Sequence, residues 1–211
     1  MATATARADF KIETSTRSLG YNLPQRMGRL LWFPMFLMAL MFFGAGMVLG
    51  IVRADEISDG GAADTIATLQ HVQAGVMFLG FASVFAAISF AIARILGQFR
   101  AGGGEAQAAA RRSVETLKMP GTAKLFIGLM AVALMTIVVA SVLHLVFAFD
   151  IDNTPASLAD AEERFIVLEG VRRTGVAVFL FAILLGLATI IRVLRFQAVR
   201  MRELPDEEPT L

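Results

Sequence analysis

Four long apolar runs, Leu30–Val52, Ala74–Ala93, Leu125–Phe149 and Gly175–Ile191, constrain this 211-residue chain more than any other feature. An α-helix needs about 20 predominantly apolar residues to cross a ~30 Å hydrocarbon core, and most of these runs reach or approach that length. The expected fold is therefore an all-α membrane protein with four transmembrane helices. Apolar residues make up 56% of the chain, more than a soluble domain usually carries.

The basic residues orient the runs. Of 19 Lys and Arg, five lie in the N-terminal tail (Arg7, Lys11, Arg17, Arg26, Arg29) and six in or beside the middle loop (Arg94, Arg100, Arg111, Arg112, Lys118, Lys124). Arg192, Arg195, Arg200 and Arg202 follow the last run, which leaves Arg53, Arg164, Arg172 and Arg173 for the first and third loops. The positive-inside rule then predicts cytoplasmic N- and C-termini in a plasma (inner) membrane protein. Ten of the 18 acids fall on the opposite side, in agreement. The first run is 23 residues long, beyond a signal-peptide core, and is expected to stay as a transmembrane helix.

The expected organisation is a cytoplasmic tail over 1–29, a transmembrane hairpin over 30–99, and a cytoplasmic loop over 100–122. A second hairpin follows over 123–203, then a tail over 204–211. In the loop, Gly102-Gly103-Gly104 reads as a helix break and Glu105–Met119 as a short amphipathic helix stopped by Pro120-Gly121. Asp64 reads as the cap of a long second helix, and Thr154-Pro155 as a cap with proline at the first helical position. The fourth helix would run from there to Glu203, with a break near Gly170. Shifting the chain by 94 places Leu31, Ala39, Leu40, Met41 and Val48 on Leu125, Ala133, Leu134, Met135 and Val142. A shift of 100 places Gly75-Val76 on Gly175-Val176 and Phe81-Ala82 on Phe181-Ala182. The two hairpins thus read as a parallel tandem repeat.

Candidate chemistry is sparse. None of the segments outside the runs is long enough to bury an enzymatic core, so the chain is not expected to be an enzyme, although it could accompany one. The net charge of +1, distributed as a membrane-flanking belt, argues against nucleic acid as a partner. The absence of cysteine excludes disulfides, iron–sulfur ligation and thiolate metal sites. Only two histidines occur, His71 and His144, both toward the outer side. Two imidazoles can hold haem axially, and an ionisable residue at membrane depth is a functional candidate by default. By helix rise they differ in depth by roughly 10 Å, so a hydrogen bond across helices or to a partner competes with ligation.

The string Asp150-Ile151-Asp152-Asn153-Thr154 has the DxDxT form of a phosphatase nucleophile motif, but it ends a membrane helix instead of a buried strand. A solvated helix terminus is the better reading. Met35, Met38 and Met41 recur every three residues, which suits packing more than copper binding. Gly46 and Gly50 form a GxxxG step, with Ala182 and Gly186 at the same spacing; such positions let helix backbones approach, here most simply within the chain. Glu169, Arg172 and Arg173 form an ion cluster at the entry of the fourth helix. The central depth of the runs holds only Ser83, Ser89, Thr136 and Ser141 as polar groups, too few for an ion path.

Three functions remain. The chain reads first as a non-catalytic accessory subunit that scaffolds or stabilises a larger membrane complex, with other membrane subunits and lipids as partners and Phe10, Ile12 and Tyr21 of the tail as docking anchors. The second reading is an electron-transfer anchor binding haem b or quinone near His71 and His144; no cofactor is expected under the first. The third is a small oligomeric transporter or channel.

Overall fold

A computed structural model describes residues 14–15, 22–109, 116–117 and 119–203. Four helices dominate it: α1 (Leu23–Ser58), α2 (Ala63–Ala109), α3 (Gly121–Phe147) and α4 (Pro155–Glu203). A single 3₁₀ turn, Ala148–Asp150, extends α3, and Thr14–Ser15 pairs antiparallel with Thr116–Leu117 over two residues. All four helices are long and apolar enough to cross a membrane. At about 1.5 Å per residue, α4 alone reaches roughly 73 Å, more than twice a hydrocarbon core.

The helix ends follow from local chemistry. Asn22 and Gln25 exchange side-chain-to-amide hydrogen bonds of 3.1 Å each, a reciprocal capping box that opens α1. α1 closes in a Schellman motif: the Gly61 amide donates to the Glu56 carbonyl at 2.8 Å and the Gly60 amide to the Ile57 carbonyl at 3.4 Å. Gly60 supplies the left-handed residue this turn requires, with φ of 71°. Thr154 caps α4 as the sequence suggests, its hydroxyl accepting from the Ser157 amide at 3.3 Å ahead of Pro155. Asp64 does not cap α2 from outside; it sits in the first turn, where its carboxylate accepts from the Thr65 amide at 2.7 Å.

Two expected breaks are absent. α4 passes through Gly170 without interruption. α2 runs through Gly102–Gly104 to Ala109, so Glu105–Ala109 belongs to it and not to a separate loop helix, and the loop boundary at 100 moves accordingly. Each glycine costs a helix interior about 1 kcal/mol against alanine, so packing must repay it. A Cβ on Gly103 would lie 2.2 Å from the Gln197 side chain and 2.7 Å from that of Arg200, which shows why glycine stands there: it admits α4, not a turn. Further along the expected loop helix, Thr116–Leu117 is instead the strand that pairs with Thr14–Ser15, and Met119 is not helical; residues 110–115 and 118, and the tail residues Phe10, Ile12 and Tyr21, lie outside the described residues.

The chain divides into two compact units. The first comprises Met1–Leu31, Ser89–Ile127 and Ala182–Leu211. In it, a Cβ on Gly28 would meet the Phe90 carbonyl at 2.6 Å, so α1 and α2 touch backbone to backbone. The Thr189 hydroxyl donates to that of Thr122 at 3.0 Å, and Gln197 Nε2 donates to the Phe99 carbonyl at 2.6 Å. Buried Arg200 donates to Gln107 and lies over the Phe196 ring, 5.0 Å from its centroid.

The second unit comprises Trp32–Ile88 and Gly128–Phe181. Here α2 touches each of the other three helices. It meets α1 where Gly46, Gly50 and Gly80 face Met77, Gln73 and Phe43, so the GxxxG step works within the chain. It meets α3 where Ser141 Oγ donates to the Gly75 carbonyl, and α4 where the Phe85 and Phe179 rings stack at 3.4 Å and 7°. On α1, Met38, Met41 and Met47 face outward, away from this packing.

Candidate functional site

Within the second unit, α2 carries His71 and α3 carries His144, and the two side chains are 1% and 0% exposed. Their Nδ1 atoms lie 2.9 Å apart, a hydrogen bond between two helices. His71 Nε2 stands 3.0 Å from the Ala161 carbonyl of α4, so one imidazole joins three helices. The sequence alternatives for these histidines included such a cross-helix bond, and the rings are brought into direct contact.

A carbonyl oxygen only accepts, so His71 Nε2 carries a proton. With both rings neutral, His71 Nδ1 is then an acceptor and His144 Nδ1 the donor to it. The remaining nitrogen, His144 Nε2, bears a lone pair, and among the described residues no group bonds to this buried atom. Its surroundings are aromatic: Phe78 meets the His144 ring edge-to-face at 5.0 Å, and Phe165 lies 5.4 Å from it and 5.6 Å from His71. The Arg172 guanidinium sits 5.0 Å from the Phe78 ring centroid and is bonded to Glu169 through Nη2. Its buried Nε likewise has no hydrogen-bond partner among the described residues. Arg173 reaches the same carboxylate at 3.4 Å, completing the ion cluster expected at this end of α4.

Two histidines on opposite sides of one iron would hold their nitrogens roughly 4 Å apart, twice a metal–nitrogen distance of about 2.0–2.1 Å. The 2.9 Å contact does not fit that arrangement. It fits a different one, in which a ligating histidine is oriented through its second nitrogen by a neighbouring acceptor. On that geometry His144 is the residue able to hold an iron or a ligand, and His71 positions it. Among the described residues no group of three His, Asp or Glu side chains could hold a metal ion.

The DxDxT string resolves into a cap. Asp152 accepts from the Thr154 hydroxyl at 2.6 Å and the Thr154 amide at 2.9 Å, while its own amide donates to Ser157 Oγ at 3.0 Å. The Thr154 hydroxyl, and then its amide, hold the Asp152 carboxyl below its ordinary value of 3.8. The α2 start joins this loop through the Asp64 amide, 3.3 Å from Asn153 Oδ1.

Sequence reasoning did not place Phe78, Phe165, Ala161 or Arg172 beside the histidines. A spacing signal existed for one pair, since His71 and Phe78 lie seven residues apart on one face of α2, but the α4 partners are 90 or more residues from His71. The fold and site define a four-helix membrane protein with a buried histidine pair. No family model, curated protein or solved structure matches the chain.

Proposed function

We propose that this chain is an accessory, non-catalytic subunit of a larger membrane assembly, lying in a plasma (inner) membrane with both termini cytoplasmic. One observation carries the reading: α4 exposes Ile166 and Val167, at 64% and 58%, well before the apolar run that begins at Gly175. Phe149, in the adjoining turn, is 88% exposed. A neighbouring subunit seated on these three side chains would cover this apolar surface. The two helical hairpins are read as a parallel repeat that supplies a rigid frame for these projecting arms.

The test is gentle detergent extraction followed by native mass spectrometry of the tagged chain. Partners are expected to co-purify, and Ile166→Glu with Val167→Glu to reduce them while membrane insertion is unchanged. A monodisperse, stable preparation of this chain alone would refute the subunit reading; undiminished partners in the double variant would refute this docking face.

A second reading, an electron-transfer anchor, is favoured by the bond chain Ala161–His71–His144 ending on a bare nitrogen. A visible absorption spectrum of the purified protein tests the haem form of it: a Soret band lost in His144→Phe supports haem, and a featureless spectrum removes it.

A further inference from the structure

Every apolar run meets a basic residue at the same end of the helices. Arg29 adjoins Leu30, Arg94 follows Ala93, Lys124 adjoins Leu125 and Arg192 follows Ile191. All four belong to the first compact unit, whose contacts bring them to one level. A Cβ on Gly28 would lie 2.9 Å from the Arg94 amide nitrogen, which ties the borders of α1 and α2. A Cβ on Gly186 would meet Ile92 and Phe126 at 3.1 Å each, and Thr189 bonds to Thr122, which ties the borders of α2, α3 and α4. The fold thus gathers the four borders into a cationic ring, and exposed Arg26 and Arg195 lie one turn further out.

Among the described residues of this unit the acids are Glu105 and Glu203, each eleven residues beyond a border cation and roughly 16 Å further along its helix. Like charges three residues apart, as in Arg26 and Arg29 or Arg192 and Arg195, repel, and an anion beside them relieves the repulsion. On the other side of the same borders the surface is apolar: Leu30, Leu125 and Ile191 are 73%, 51% and 51% exposed. A soluble anion or an acidic peptide would match the cations alone. A negative head on hydrocarbon chains matches both surfaces, and a zwitterionic head matches them less well because its ammonium meets the same positive field. We propose that this ring selects acidic phospholipid, with one headgroup phosphate at the α1–α2 border between Arg29 and Arg94 and its acyl chains leading past Leu30 along α1. The assignment is independent of any partner subunit and of the histidine pair.

The chain carries a single tryptophan, Trp32, one turn from Arg29 on α1, so the native protein reports lipid at this border without a label. The full-length protein is placed in phosphatidylcholine nanodiscs in which a fixed fraction of the lipid is brominated high on its acyl chains, as either phosphatidylglycerol or phosphatidylcholine. Bromine quenches tryptophan on contact. The brominated phosphatidylglycerol is expected to associate about fivefold more strongly, the effect of one cation close to a charged lipid surface. Arg26→Gln with Arg29→Gln should bring the two lipids close to parity. Arg173→Gln, which alters an exposed cation of the second unit, should leave the preference unchanged. Equal quenching by the two lipids in the wild-type protein would overturn the proposal, as would no quenching by either, since acyl chains would then be absent from this border. A preference retained in the double variant, or lost in Arg173→Gln, would overturn the position assigned to the headgroup. The selectivity is decided by the wild-type protein alone, and the two substituted arginines of α1 are exposed, so the outcome does not hang on a variant that fails to fold.

Discussion

Replacing both histidines should cost less than the sum of replacing each. In His71→Phe the bond to His144 is lost and a buried Nδ1–H is left without an acceptor; the Ala161 carbonyl keeps its helical bond. In His144→Phe the acceptor at His71 Nδ1 is left alone instead. Each single variant thus carries an orphaned buried polar group, about 1–3 kcal/mol. The double variant removes both partners and exposes no orphan, so its cost falls toward that of repacking two rings. A coupling of about 0.6 kcal/mol, and at most about 1.7 kcal/mol, is expected, the mean and the maximum for hydrogen bonds between membrane helices. The assay is reversible unfolding in mixed detergent micelles, followed by helical circular dichroism for wild type, both singles and the double. Additivity within about 0.3–0.5 kcal/mol would refute the reasoning, because it would mean that the two rings do not share a bond in the folded chain.

Gly28→Val should destabilise by about 1–3 kcal/mol in the same assay, since the new side chain meets the unyielding Phe90 carbonyl, whereas Gly44→Ala, with nothing within 4 Å of its added carbon, should be neutral or mildly stabilising. Thr154→Ala removes the α4 cap and should cost about 0.5–2 kcal/mol. It should also raise the Asp152 carboxyl toward 3.8; because that group is depressed in the fold, its stabilising contribution is present above pH 3.8 and fades as pH falls below it, which an NMR titration checks. For topology, a cysteine at exposed Glu105 is expected to resist an impermeant maleimide in intact cells while one at exposed Glu162 reacts, and the reverse pattern would invert the orientation.

The helices were legible because apolar runs of this length have few alternatives in lipid, and Thr154-Pro155 announces a start by local chemistry alone. Gly102–Gly104 misled because glycine serves both turns and close helix contacts, and which applies depends on Gln197 and Arg200, nearly 100 residues away. The histidines misled differently. Depth reckoned from the edges of the apolar runs separated them by about 10 Å, yet α2 starts at Ala63, eleven residues before its run. Counted along the helices, His71 lies about 12 Å from the start of α2 and His144 roughly 9 Å from Asp150, so the two are close to level. Thr189 lay close enough to a run edge to escape notice as a polar core residue, and its bond to Thr122 joins α3 and α4.

The histidine bridge also has a place in time. His71 belongs to the half of the chain made first, and both His144 and Ala161 to the half made later. While the ribosome is still producing α3, the first hairpin must wait in the bilayer with an imidazole that has not met its acceptor or its donor. Closure of the pair therefore marks the moment at which the later half has docked on the earlier one, and a chain severed between Ala109 and Gly121 would have to find that same match between two separate polypeptides.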